Sequence, residues 1–132
     1  MDTTPAPDRK RHVLVVDDNL ELAQTCQRLF EEHGYIASVA PNGVLALKTL
    51  LVTDVDAIVC DLKMPQLEGD MFYVTVQRVK PHLCDRFVFI TGMAADSKFQ
   101  TFIKQVAAPV LFKPVPFEKL LQAVESVLPK VG

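Results

Sequence analysis

The sequence has no tryptophan and three cysteines, Cys26, Cys60 and Cys84, an odd number with no C-x-x-C or zinc-like spacing. That argues against a disulfide framework and a thiolate metal site, and points to free thiols in a reducing compartment. There is no basic excess, because 14 Lys and Arg face 16 Asp and Glu for a net charge of −2. Nucleic-acid binding through phosphate neutralisation is therefore not expected of this chain. No apolar run approaches the roughly 20 residues that cross a bilayer, and residues 1–10 hold no apolar leader core. No membrane association and a cytoplasmic location are the expectations. Glycine is scarce, at five residues, and no Gly-rich phosphate loop or nucleotide motif is present. Repeats and low-complexity tracts are also missing.

What is present suits one domain with a real core: 132 residues, 49% of them hydrophobic and 23% charged. Residues 1–11 are polar, contain Pro5 and Pro7, and end in Arg9-Lys10-Arg11, so they read as a flexible tail or linker remnant. The domain is expected over 12–129, with a short tail at 130–132. Apolar runs at 12–16, 35–40, 57–60, 87–90 and 110–112 are rich in Val and Ile and too short for ordinary helices. They predict strands. The first and fourth lack alternation, as expected when both faces are covered.

Helical periods lie between them. The predicted stripes are Leu22, Cys26, Leu29 and Phe30, closed by Gly34; then Val44, Leu47, Leu50 and Leu51, opened by Asn42. A third follows Met71, Val74 and Val79 and stops before Pro81, leaving His82 in a loop. A fourth follows Phe99, Phe102, Ile103 and Val106 after a cap at Asp96 or Ser97. The fifth follows Phe117, Leu120, Leu121, Val124, Val127 and Leu128 after Pro116. Five strands alternating with five helices predict an α/β domain with a parallel sheet and right-handed crossovers.

In such sheets ligands sit beyond the carboxyl ends of the strands. Those ends carry Asp17-Asp18, Asp61, Thr91-Gly92 and Lys113-Pro114. Asp17-Asp18 alone could cap the following helix; four segments converging on one rim is harder to explain that way. Three carboxylates held close repel one another and call for a cation. Oxygen ligands suit Mg²⁺, while Lys113 adds an ammonium and Thr91 a hydroxyl. Together they form a phosphoryl-transfer set, and a carboxylate can itself be the nucleophile.

These residues resemble the receiver domain of two-component response regulators over about 12–128. The motifs are Val15-Val16-Asp17-Asp18-Asn19, Asp61-Leu62-Lys63-Met64-Pro65 followed by Gly69, Thr91-Gly92, and Lys113-Pro114. The resemblance implies a flavodoxin-like (βα)5 three-layer sandwich with strand order 2-1-3-4-5. It implies Asp61 as phospho-acceptor, and Mg²⁺ held by Asp18, Asp61 and the Lys63 backbone carbonyl, with Asp17 acting through a metal-bound water. Thr91, Gly92 and Lys113 would contact the phosphoryl group, and the Lys113–Pro114 bond would be cis. Lys63 and Met93 would flank the path of attacking water. Cys60 reads as a small core residue, and His12, His33 and His82 suggest no metal site.

The function implied is a switch that accepts a phosphoryl group from a histidine kinase or a histidine phosphotransfer protein and dephosphorylates itself. One alternative is a Mg²⁺-dependent phosphatase working through an aspartyl phosphate. Haloacid-dehalogenase-type phosphatases want a second acid two positions after the nucleophile, where this sequence has Lys63. The other is a phosphorylation-independent interaction module, which would predict a missing site residue. With the chain ending a few residues past the fifth helix, a stand-alone regulator or a receiver from a larger regulator or hybrid kinase is expected, as monomer or weak dimer. The switch region departs from the family, which usually has Tyr or Phe three residues before the lysine. Here that position is Val110, with Phe112 on the same face of the strand.

Overall fold

The computed structural model describes residues 10–92 and 97–129. The tail at 1–9, residues 130–132, Met93 and the candidate cap Asp96 lie outside the described residues. Five parallel strands form one sheet: β1 (His12–Val16), β2 (Ile36–Ala40), β3 (Ala57–Asp61), β4 (Phe87–Thr91) and β5 (Val110–Phe112). Their order is β2-β1-β3-β4-β5, the flavodoxin-like arrangement expected. β3 and β4 each run one residue beyond the apolar stretch, taking Asp61 and Thr91 into the sheet.

The helices are α1 (Leu20–Glu32), α2 (Gly43–Val52), α3 (Gly69–Val79), α4 (Gln100–Gln105) and α5 (Phe117–Val127). Alternation along the strands divides the core into two layers. Val13, Val15, Ala57, Val59, Val88 and Ile90 face α1 and α5, meeting Ala23, Phe30, Leu120 and Val124. Leu14, Val16, Ile58, Cys60, Phe87 and Phe89 face the other way, meeting Ala46, Leu50, Phe72 and Val76. Phe72, Phe87 and Phe89 are fully buried, each worth about 1.5–3 kcal/mol of apolar burial.

The local stops are those the sequence uses. Asn19 caps α1 by accepting from Leu22 N–H, and Asn42 caps α2 by accepting from Leu45 N–H. Gly34 ends α1 with a left-handed backbone, φ 89°. Four expectations need correction. In α3 the core face is Gly69, Phe72 and Val76, while Met71 and Val79 are 54% and 51% exposed. The helix starts so close to β3 that the inward face is shifted by one position from the predicted stripe. Leu22 is likewise exposed, with Ala23 turned inward in its place. His82 lies in a 3₁₀ turn, Pro81–Arg86, rather than a loop. The fourth helical period is short, a 3₁₀ turn at Ser97–Phe99 running into the six-residue α4.

Candidate functional site

The site is the carboxyl-end rim of β1, β3, β4 and β5. β1 delivers Asp17 because its four buried residues hold the strand between two helical layers and the chain leaves the sheet at the first acid. Asp17 N–H still donates to Ala40 carbonyl at 3.1 Å, so Asp17 is fixed as firmly as the strand. Its carboxylate Oδ1 accepts from Asn19 N–H at 2.9 Å. Asn19, not either aspartate, is the cap of α1, which leaves Asp17 and Asp18 for other work. Asp17 is buried and Asp18 is exposed beside it.

Asp61 ends β3, buried, with only its rim open. The loop that follows folds back onto it. Gly69 N–H donates to Leu62 carbonyl at 2.9 Å. A Cβ at Gly69 would lie 2.5 Å from the Asp61 carbonyl oxygen and 2.9 Å from Leu62 Cα, so only glycine permits this approach. Lys63 N–H faces Asp61 Oδ1 at 3.3 Å, and the Lys63 side chain is exposed. Cys60 points into the core, its Sγ donating to the Asp61 carbonyl at 3.2 Å, and burial pushes its thiol well above the ordinary value.

β4 and β5 bring the other two groups. Lys113 N–H donates to Thr91 carbonyl at 2.8 Å, extending the ladder past β5 and setting the two residues side by side. Thr91 is buried, and Gly92 next to it is exposed with open space where a side chain would lie. The Lys113–Pro114 bond is cis. Lys113 Nζ donates to Asp61 Oδ2 at 2.7 Å and lies 3.6 Å from Asp17 Oδ2.

The electrostatics follow from this crowding. One carboxylate oxygen from each of Asp17, Asp18 and Asp61 lies within 4.8 Å of the other two. Burial, and then the fields of Asp61 and Asp18, push the Asp17 carboxyl up, against the Asn19 hydrogen bond and Lys113. Burial alone would lower the Lys113 ammonium, but its hydrogen bond to Asp61 and the charges of Asp61 and Asp17 outweigh it and raise the group. One ammonium thus faces three acids. An oxygen-only donor set with surplus negative charge fits a hard divalent cation such as Mg²⁺. The structure gathers Asp17, Asp18, Asp61 and Lys113 into direct range and sets Thr91, Gly92 and Lys63 around them. Val110 is half-buried against the α4 side and Phe112 is 47% exposed. Glu68 and Lys98, which the sequence reading did not single out, form an ion pair across two loops of this rim. No motif marks them, because the pairing arises from loop geometry.

A family model described as response regulator receiver domain matches residues 13–125. The response regulator SaeR of Staphylococcus epidermidis is 28% identical over 122 residues, covering 92% of this chain and 52% of that protein. The chain spans between about a fifth and about half the length of the curated relatives it matches. Among solved structures, chemotaxis protein CheY4 of Vibrio cholerae has a TM-score of 0.78 and 27% identity, covering 91% of this chain and 100% of that one. The response regulator TrrA of Thermotoga maritima, solved in complex with Mg²⁺ and BeF, has a TM-score of 0.76 and 24% identity, covering 89% of this chain and 99% of that one.

Proposed function

The chain belongs to the response regulator receiver family, and from that premise we propose that it is a signalling switch phosphorylated on Asp61. The observation that carries this reading is the convergence of three carboxylates within 4.8 Å with Lys113 hydrogen-bonded to one of them. The donor is a phosphohistidine, on a histidine kinase or a phosphotransfer protein. An Asp61 carboxylate oxygen attacks phosphorus, the P–N bond breaks, and the imidazole leaves with its electron pair and takes up a proton. Lys113 offsets charge on the acceptor, and Thr91 and the Gly92 N–H hydrogen-bond the phosphoryl oxygens. Asp17, Asp18, Asp61 and the Lys63 carbonyl would hold Mg²⁺, which would supply positive charge against those oxygens. Water then attacks phosphorus, the P–O bond to Asp61 breaks and phosphate leaves, which resets the switch.

The domain acts as a cytoplasmic monomer or weak dimer, with its output delivered by another domain or protein. Among the described residues no helix is long and apolar enough to cross a membrane. The test is incubation with acetyl phosphate and Mg²⁺, followed by intact mass. One phosphoryl group should be gained by the wild type and none by Asp61→Asn, because an amide is not a nucleophilic carboxylate. Undiminished, chemically identical labelling of the variant would overturn the assignment.

A further inference from the structure

Glu68, just before α3, and Lys98, in the 3₁₀ turn Ser97–Phe99, meet across 30 positions of sequence. Glu68 is the N-cap residue of α3, yet its side chain makes no capping bond to that helix. It reaches across to the Lys98 ammonium instead, as an ion pair and hydrogen bond. The two ends of this pair differ in how firmly they are anchored. Gly69, next to Glu68, is pressed against the backbone of Asp61 and Leu62 and bonded to it, so Glu68 is a fixed post beside the acceptor.

Lys98 sits in the 3₁₀ turn that opens α4, with its Nζ 5.6 Å from the ring centroid of Phe99. Phe99 is buried, but α4 itself has six residues and none of them is fully buried. A helix with so little buried surface occupies the low end of local stability, where one ion pair can bias its position. We propose that Glu68–Lys98 is a latch that holds the start of α4 against the acceptor loop and opposes the switch. Both are positioning residues: they act on the site through the loops, not on the reacting atoms. This proposal rests on the phospho-switch reading, since the change it opposes is the one that phosphorylation of Asp61 would drive.

The side chains are 59% and 26% exposed, for Lys98 and Glu68 respectively, so the pair is a surface interaction, worth about a two- to fivefold change in an equilibrium. Two measurements test it on Glu68→Gln, Lys98→Gln and the charge swap Glu68→Lys with Lys98→Glu. In the free protein, amide hydrogen exchange across Gln100–Gln105 should quicken by about two- to fivefold in each single variant and return toward wild type in the swap. Mg²⁺–beryllofluoride, a phosphoryl mimic, should bind the single variants about two- to fivefold more tightly, with the swap again restoring wild-type affinity. Unchanged exchange in the single variants, or a folded swap that fails to restore it, overturns the latch. Faster exchange with unchanged or weaker beryllofluoride binding overturns its opposition to the switch. A wild type that binds no beryllofluoride would instead count against the phospho-switch reading, and the exchange measurement would still decide the latch.

Discussion

Lys113 and Asp61 are joined by a 2.7 Å hydrogen bond that spans 52 positions of sequence, tying the end of β5 to the end of β3. The ammonium stands where a bound cation would also be drawn, and it is the partner of Asp17 as well, at 3.6 Å. Burial would lower its ammonium, but the hydrogen bond to Asp61 and the charges of Asp61 and Asp17 outweigh that and raise it. That makes Lys113 both a structural counter-charge and a competitor of any cation drawn to the same acids.

Replacing Lys113 with Met should therefore separate the two roles. The loss leaves buried carboxylates uncompensated and should cost about 1–3 kcal/mol of folding stability without metal. With the competitor gone, Mg²⁺ should bind more tightly and raise the melting temperature more than it does in the wild type. Thermal unfolding of both proteins with and without Mg²⁺ checks this. A smaller Mg²⁺ response in the variant would mean that Lys113 assists metal binding.

Asp17 gives a pH signature. Burial raises its carboxyl above the ordinary value of 3.8, so the folded state takes up a proton before the unfolded chain does. Its favourable contribution is complete below pH 3.8 and is lost as pH rises through the higher folded value. At neutral pH the charge is thus a net burden on folding. Asp17→Asn retains an oxygen to accept from Asn19 N–H and should unfold at a higher temperature than wild type at pH 7. The gap should narrow on acidification toward pH 4. The same variant should bind Mg²⁺ less well, and a variant less stable than wild type at pH 7 would contradict this account.

Much of this was legible in the sequence, and the failures have physical causes. Val13–Val16 and Phe87–Ile90 could only be covered strands, and a covered parallel sheet puts chemistry at its carboxyl rim; Asp17, Asp61, Thr91 and Lys113 stand there. Helix faces were less legible. Met71 and Val79 are apolar but outward, because Phe72 and Val76 compete for the core face and take it, with Gly69 close against the β3 backbone. In α2 apolar residues surround the helix, so Leu51 and Val52 could not be told from the buried Ala46 and Leu50 by type. The Glu68–Lys98 pair was invisible because only the fold, and no spacing in the sequence, brings the cap of α3 beside the 3₁₀ turn before α4.

The tight approach at Gly69 carries its own test. Gly69→Ala would place a methyl group 2.5 Å from the Asp61 carbonyl oxygen, and backbone cannot step aside as a flexible side chain can. The variant should lose about 1–3 kcal/mol by urea unfolding, despite the better helix propensity of alanine. Displacing the end of β3 should also slow phosphorylation from acetyl phosphate. Gly92→Ala is the control: nothing lies within 4 Å of its added Cβ, so stability should change by less than about 0.5 kcal/mol. Equal effects of the two substitutions would show that the close contact is unimportant.

In β5, Val110 takes the position that in the family usually holds an aromatic ring. Val110 has a single side-chain torsion and packs, half-buried, against the cluster that includes Phe89, Phe102 and Ile103. It has no ring to swing between a buried and an exposed state. Phe112, on the same face, lies outward against a shallow cavity that it lines with Gln100, Ile103 and Lys104. The contacts that can differ between two states are therefore on the α4 side, at Thr91 and the segment leading into α4. On adding Mg²⁺ and beryllofluoride, NMR shift changes should concentrate at Gly92 and residues 97–102, with small changes at Val110. Val110→Ala should cost stability, about 0.5–1.5 kcal/mol at a half-buried valine, yet leave that pattern of shifts in place. If the largest changes instead centre on Val110–Phe112 and α5 while residues 97–102 stay quiet, the signal leaves through β5 and the assignment to α4 is wrong.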